Sequence, residues 1–194
     1  MRLFIGIEVP QSQKLLEIFE IVKNTGADIK LVEPYNIHIT LLFLGEVRDD
    51  RLEEVKDSMR EVKFNKFRVT LKGLGAFPNL TRPRVVWVGI TEGQQQLKQI
   101  RSYILNEILK RKIKPEDDKD FSPHLTIGRV KSYNSISNLI NAINENMNVD
   151  IGTFEVSNVV LFKSTLTPKG PIYDRLFEVS SIDRGGSAKD NKTY

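Results

Sequence analysis

Two histidines are the only imidazoles in this 194-residue chain, and each stands in the same short pattern. The first lies in Ile37-His38-Ile39-Thr40-Leu41 and the second in Pro123-His124-Leu125-Thr126-Ile127, so His-x-Thr recurs 86 positions later (38 to 124). On a β-strand, residues i and i+2 share a face about 6.5–7 Å apart. Each ring therefore has a hydroxyl beside it, while Ile39 and Leu125 turn into the packing behind. Imidazole titrates at about pH 6.5, so one ring can be neutral while the other is protonated. That pairing is what a concerted acid–base displacement requires, and two hydroxyls suit the oxygens of a group such as a phosphoryl. One H-x-T alone is an ordinary half-buried polar position; two in matching places form a pattern. A zinc site is the other reading of paired histidines, but neither motif has an Asp or Glu at ligand spacing.

The elements that must position these residues can be read on either side of them. The apolar run 3–9 reads as a strand closed by Pro10, and Leu15, Leu16, Phe19 and Val22 recur at helical spacing over 11–25, with Gly26 as a stop. The strand 37–44 follows, then a helix capped by Asp49 or Asp50 with Leu52, Val55, Met59 and Val62 on one face. Phe67, Val69 and Leu71 alternate with polar residues as a half-buried strand. A strand over 85–90 then restarts the same order. Gly93 precedes a helix carrying Leu97, Ile100, Ile104 and Ile108; a strand spans 121–130; a helix begins at Ser135 or Ser137; strands follow at 153–162 and 176–181. The 86-residue offset relates the elements as well as the motifs. The chain thus reads as an α+β protein of two lobes, built by duplication of strand/helix units, with antiparallel sheets facing a central cleft. Residues 1–184 form one bilobal domain, and the small, polar stretch 185–194 reads as a disordered tail.

Composition sets the outer bounds. Apolar residues at 40% with a net charge of only +4 exclude disorder as the main state. The absence of cysteine excludes disulfide scaffolds, thiol chemistry and thiolate-bound metals. The opening run meets Pro10 too early for a signal peptide, and no apolar stretch reaches the roughly 20 residues of a membrane helix, so a cytoplasmic protein without a membrane partner is expected. The excess of 29 Lys and Arg over 25 Asp and Glu favours a polyanionic partner modestly, and Glu116, Asp117 and Asp118 cancel the basic run at 110–114.

With both motifs in this context, the chain resembles the 2H phosphoesterases, and among them the RNA 2′,3′-cyclic phosphodiesterases, also called 2′-5′ RNA ligases. The resemblance runs from Arg2-Leu3-Phe4-Ile5-Gly6-Ile7-Glu8 through the block 37–45 and Arg82-Pro83-Arg84-Val85-Val86-Trp87. It continues over Phe121-Ser122-Pro123-His124-Leu125-Thr126-Ile127-Gly128-Arg129 to Leu161-Phe162-Lys163-Ser164 and Gly170-Pro171-Ile172-Tyr173. It implies hydrolysis of a terminal 2′,3′-cyclic phosphate of RNA to a 2′-phosphate with no metal or nucleotide cofactor; tRNA fragments are candidate substrates, and nothing in the sequence demands more than a monomer. Carried over to this chain, His38 is the proton donor to the leaving 3′-oxygen, His124 the proton acceptor from water, and Thr40 and Thr126 hold the phosphoryl oxygens. The pseudo-symmetry leaves the two histidine roles nearly exchangeable.

Other residues carry two readings each. Strict alternation points Arg129 away from His124 and Thr126, yet a bulge at Gly128 would return it to the cleft as a phosphate ligand; otherwise it is a salt-bridge residue. Arg82, Arg84 and Lys72 either line an RNA path or are solvated. Tyr35, Phe77 and Tyr173 either stack a base or pack the rim. Lys72-Gly73-Leu74-Gly75 matches a bare K-x-x-G, the pattern of a lysine adenylylated in ATP-dependent ligases. The competing functions are therefore ATP-independent 2′-5′ ligation by reversal, and a module that binds RNA ends without turnover.

Overall fold

In a computed structural model of the chain, residues 1–117, 119–183 and 192–193 are described. Among these residues, two five-stranded antiparallel sheets carry the fold. The strands are β1 (Arg2–Glu8), β2 (Ile29–Leu31), β3 (His38–Glu46), β4 (Phe67–Phe77), β5 (Val85–Glu92), β6 (His124–Val130), β7 (Asp150–Val156), β8 (Asn158–Thr167), β9 (Gly170–Ser180) and β10 (Lys192–Thr193). The helices are α1 (Gln13–Lys23), α2 (Leu52–Arg60), α3 (Gln94–Lys110) and α4 (Ile136–Glu145). One sheet has the order β10-β9-β8-β1-β3 and the other β2-β6-β5-β4-β7. Helices α2 and α3 pack on the first, α1 and α4 on the second, and β3 lies against β6 where the sheets meet. Among the described residues, no helix is long and apolar enough to cross a membrane.

The duplicated, bilobal α+β architecture is present, but the lobes are not the two halves of the chain. β1 is flanked by β3 of its own half and by β8 of the other; β5 is flanked by β6 of its own half and by β4 of the other. Each half lends strands to its partner's sheet. The expected strand at 153–162 is accordingly two strands, β7 and β8, with Ser157 between them as the chain leaves one sheet for the other. A second difference is β2, whose three residues are too few to show alternation; it edges the second sheet beside β6.

Local chemistry explains most boundaries. Ser12 caps α1 by accepting from Leu15 N–H at 3.1 Å, and Leu15, Ile18, Phe19 and Val22 bury one face. Neither Asp49 nor Asp50 caps α2. Asp49 instead accepts from the terminal amine of Met1 at 3.1 Å, Asp50 pairs with Arg48, and a 3-10 turn over Asp49–Arg51 leads into the helix. Gly93, at φ +97°, starts α3 where a Cβ would lie 2.6 Å from the carbonyl of Arg68. The K-x-x-G glycines sit inside β4, not in a loop: Gly73 and Leu74 donate to the carbonyls of Val149 and Asn146 at a bulge in the strand. Of the expected tail 185–194, all but Lys192–Thr193 lie outside the described residues, and those two pair with β9.

Candidate active site

The two H-x-T strands are built alike, and each contains the same irregularity. In β3, Gly6 opposes Thr40 and Ile5 opposes Leu42, which leaves Leu41 unopposed. In β6, Trp87 opposes Thr126 and Val86 opposes Gly128, which leaves Ile127 unopposed. A bulge of this kind resets the alternation. Phe43 therefore returns to the face of His38 and Thr40, and Arg129 returns to the face of His124 and Thr126. All six side chains line one cavity of about 760 Å³ between the sheets. Ile39 and Leu125 are fully buried behind it.

Each imidazole is oriented by the backbone two residues upstream. His38 Nδ1–H donates to the Asn36 carbonyl at 2.7 Å, and His124 Nδ1–H donates to the Ser122 carbonyl, also at 2.7 Å. A carbonyl can only accept, so the ring proton sits on Nδ1 and Nε2 is left for chemistry. In the neutral ring, His38 Nε2 accepts from the Thr40 hydroxyl at 2.9 Å; His124 Nε2 has no hydrogen-bond partner among the described residues. Aromatic edges hold both rings from the side: Tyr173 meets His38 at 5.2 Å and 87°, and Phe77 meets His124 at 5.0 Å and 88°. Gly6 makes room on the neighbouring strand, because a Cβ there would stand 2.7 Å from the Ile39 carbonyl and 3.5 Å from His38 Cδ2.

Burial lowers the pKa of both histidines below the usual imidazole value, opposed in each case by the carbonyl bonded to Nδ1. The two differ in nearby charge. At His124 the Arg129 guanidinium lowers the pKa further and the Asp117 carboxylate raises it, whereas no charged group enters the balance at His38. Burial raises the Tyr173 hydroxyl, with Arg129 and Arg2 opposing.

Several lining residues escaped the sequence reading. Arg2, on β1, sits 4.7 Å over the Phe43 ring and brings a second guanidinium into the cavity. Its signal was available: position 43 is the 86-residue counterpart of 129, and where the second lobe has Arg129 the first has Phe43 carrying Arg2. The loop between α3 and β6 adds Asp117, Asp120, Phe121 and Ser122 to the rim. Arg101, 6% exposed, holds that loop by donating to the carbonyls of Asp117 and Lys119 at 3.3 and 3.0 Å, with its guanidinium 5.0 Å from the Phe121 ring.

Of the aromatics singled out from sequence, Phe77 and Tyr173 line the cavity; Tyr35, 74% exposed, does not. Lys72, Arg82 and Arg84 are also outside its lining. Lys72 pairs with Asp150 across β4 and β7 at 3.8 Å, which separates the K-x-x-G lysine from the cleft. Arg82 lies over the exposed ring of Tyr133 at 5.7 Å. No group of three or more His, Asp or Glu side chains converges at metal-binding distance among the described residues. The cavity thus offers two oriented imidazoles, two hydroxyls and two guanidiniums to a small oxyanion with something larger attached.

The family described as LigT like phosphoesterase matches the chain twice, over residues 5–87 and 88–173. The RNA 2′,3′-cyclic phosphodiesterase of Aeropyrum pernix is 38% identical over 172 residues, 89% of this chain and 97% of its own. That of Archaeoglobus fulgidus is 39% identical over 182 residues, 92% and 100% of the two chains. A crystal structure from Thermus thermophilus aligns with a TM-score of 0.68 at 28% identity, over 93% of this chain and 97% of the other. E. coli LigT complexed with 3′-AMP aligns with a TM-score of 0.69 at 22% identity, over 93% and 97%, a likeness of fold.

Proposed function

This chain belongs to the LigT-like phosphoesterase family, and on that footing we propose that it opens the 2′,3′-cyclic phosphate at the end of an RNA to a 2′-phosphate. The observation that carries the reading is the convergence on one cavity of two imidazoles fixed through Nδ1, each with a threonine on its own face and Arg129 beside the second. Water attacks phosphorus in line with the 3′-oxygen, and His124 Nε2 takes its proton as the new P–O bond forms. The P–O3′ bond breaks, and His38 Nε2–H gives its proton to the departing oxygen. The products are a 2′-phosphate and a free 3′-hydroxyl; solvent exchange then returns the proton from His124 to bulk water and reloads His38.

The larger of the two charges acting on His124, the Arg129 guanidinium, supports this division of roles over the opposing Asp117 carboxylate. A guanidinium beside His124 favours its neutral form, the form a base needs, while no cation disfavours protonation of His38. Protonating His38 also ends the hydrogen bond it accepts from Thr40, which frees that hydroxyl to donate to a phosphoryl oxygen. Thr126 and Arg129 serve the phosphoryl group from the other lobe, with Arg2 facing them. The cyclic ester is strained, so proton management and charge stabilisation suffice, without a metal or nucleotide cofactor. RNA fragments such as those of tRNA are the proposed substrates, and a monomer in the cytoplasm the proposed setting, in keeping with the lack of cysteine.

The test is turnover of a short RNA ending in a 2′,3′-cyclic phosphate, in EDTA and without ATP, beside His38→Ala and His124→Ala. A 2′-phosphate formed only by the unsubstituted protein is expected. A 3′-phosphate product would reverse the assignment of the leaving oxygen, and binding without turnover would make the cleft an end-recognition site.

A further inference from the structure

On the cavity face of the second sheet, Lys30 of the edge strand β2 stands directly opposite Arg129 of β6. Directly opposed residues in an antiparallel pair project from the same face with Cβ atoms about 4.5–5.5 Å apart, and like charges there repel. Val32, one same-face step beyond Lys30, lines the cavity with Arg129, which places Lys30 on the cavity side of the sheet. Neither cation has an ion-pair partner among the described residues. Asp28, just before β2, and Lys131, just beyond β6, continue this edge and are joined through the Lys131 N–H to Asp28 carbonyl bond of 2.7 Å. Lys30 and Arg129 remain as two juxtaposed cations at the mouth of the site.

We infer that Lys30, with the outer edge of the Arg129 guanidinium, forms a second anion subsite, which holds the internucleotide phosphodiester immediately 5′ of the cyclic phosphate, Arg129 bridging the two anions. The inference rests on the cyclic-phosphate reading of the cavity and adds the direction in which the RNA leaves it: over the β6–β2 edge. From Thr126 to Arg129 is one same-face step across the bulge, about 6.5–7 Å, comparable with the spacing of successive phosphates along an extended strand. A bridging anion would turn the Lys30–Arg129 repulsion into two attractions, the arrangement P–O⁻ groups find at clustered cations. A mononucleotide has no such phosphate, so the subsite serves oligonucleotides alone.

The experiment compares three substrates: a mononucleoside 2′,3′-cyclic phosphate, a dinucleotide ending in the same group, and that dinucleotide with an uncharged methylphosphonate linkage. Lys30→Gln is expected to lower the dinucleotide-to-mononucleotide ratio of kcat/KM by about three- to tenfold, mainly through KM, with Lys30→Arg restoring it. The methylphosphonate dinucleotide should show no such drop. For longer RNA the salt slope of log kcat/KM should shrink by about 0.7. Lys98→Gln, on the exposed face of α3, controls for net charge. An unchanged ratio, or an equal change with Lys98→Gln, would overturn the subsite. If the unsubstituted protein turned over none of the three, the cyclic-phosphate reading would fail instead. The subsite would then be judged by the affinity of a 2′-phosphorylated dinucleotide for the protein and for Lys30→Gln, and equal affinities would overturn it too.

Discussion

Replacing Arg129 by Gln should move one limb of the pH–rate profile and leave the other in place. If His124 is the base, it must be neutral, so kcat/KM rises with pH as His124 loses its proton; if His38 is the acid, activity falls as His38 loses its own. The Arg129 guanidinium holds the His124 pKa down, and removing it raises that pKa. Arg129 lies two same-face steps beyond His124, about 13–14 Å at the backbone, and its long side chain acts on the ring over a shorter separation, taken as on the order of 8 Å across a partly open cleft. At an effective dielectric of about 40–80, that separation corresponds to about 0.5–1 kcal/mol, or about 0.4–0.8 pH unit at 1.36 kcal/mol per unit. The acid-side limb should therefore shift upward by about half a unit while the alkaline limb holds. The assay is kcat/KM between about pH 4.5 and 9 on a dinucleotide cyclic phosphate, which has no titrating phosphate in that range. The limb position is read independently of the lower amplitude that loss of a phosphate ligand brings. Movement of the alkaline limb alone would refute His124 as the base with the lower pKa, and movement of neither would refute the electrostatic argument.

Other outcomes follow from the same geometry. Both histidines are lowered by burial in the free protein, so the optimum of kcat/KM should fall on the acid side of 6.5; the alkaline limb of kcat should lie higher, because bound phosphodiester favours protonated His38. Separate kcat and kcat/KM profiles check this, and coincident alkaline limbs would count against it. His38→Ala and His124→Ala should each cost about 10²–10⁴ in kcat, while Thr126→Ala should cost less, about 10²; the reverse order, in single-turnover kinetics, would mean that the hydroxyls carry more than positioning. Arg101→Met should loosen the rim loop and lower stability by about 1–3 kcal/mol through the two carbonyls it leaves; denaturant unfolding and a raised KM are the readouts, and an unchanged KM would free the loop from any part in binding.

Much of this was legible because the decisive signals are periodic. His38 and Thr40 flank a buried Ile39, His124 and Thr126 flank a buried Leu125, and alternation alone fixes which side each takes. The element order was likewise visible as two passes of the same apolar spacing. Alternation fails where a residue is inserted: Leu41 and Ile127 are unopposed in their ladders, and a bulge leaves no mark in composition beyond the glycine after Ile127. That is why Arg129 carried two readings until the register was known. The break at Ser157 was hidden for a related reason, since β7 and β8 form one continuous run of strand-forming residues and only tertiary pairing tells that they belong to different sheets. Arg101 acts through contacts far away in the chain, on the rim loop, which local sequence does not encode, and Arg2 was signalled only indirectly, through the repeat that sets Phe43 against Arg129.

The exchange of strands between halves has a consequence for how such a molecule can come apart and come together. A cut in the connection between β4 and β5 would leave β1 without β8 in one fragment and β5 without β4 in the other. Each piece would carry a central strand with one bare edge, an invitation to pair rather than a finished fold. Mixed, the two fragments supply what the other lacks, so they should reconstitute by complementation where neither folds alone. Two copies of a single repeat would close the same pair of sheets only as a symmetric, strand-swapped dimer, with the catalytic cleft lying on its twofold axis. In the covalent chain the same ladders tie the halves together, so the cleft does not open by swinging one half away from the other.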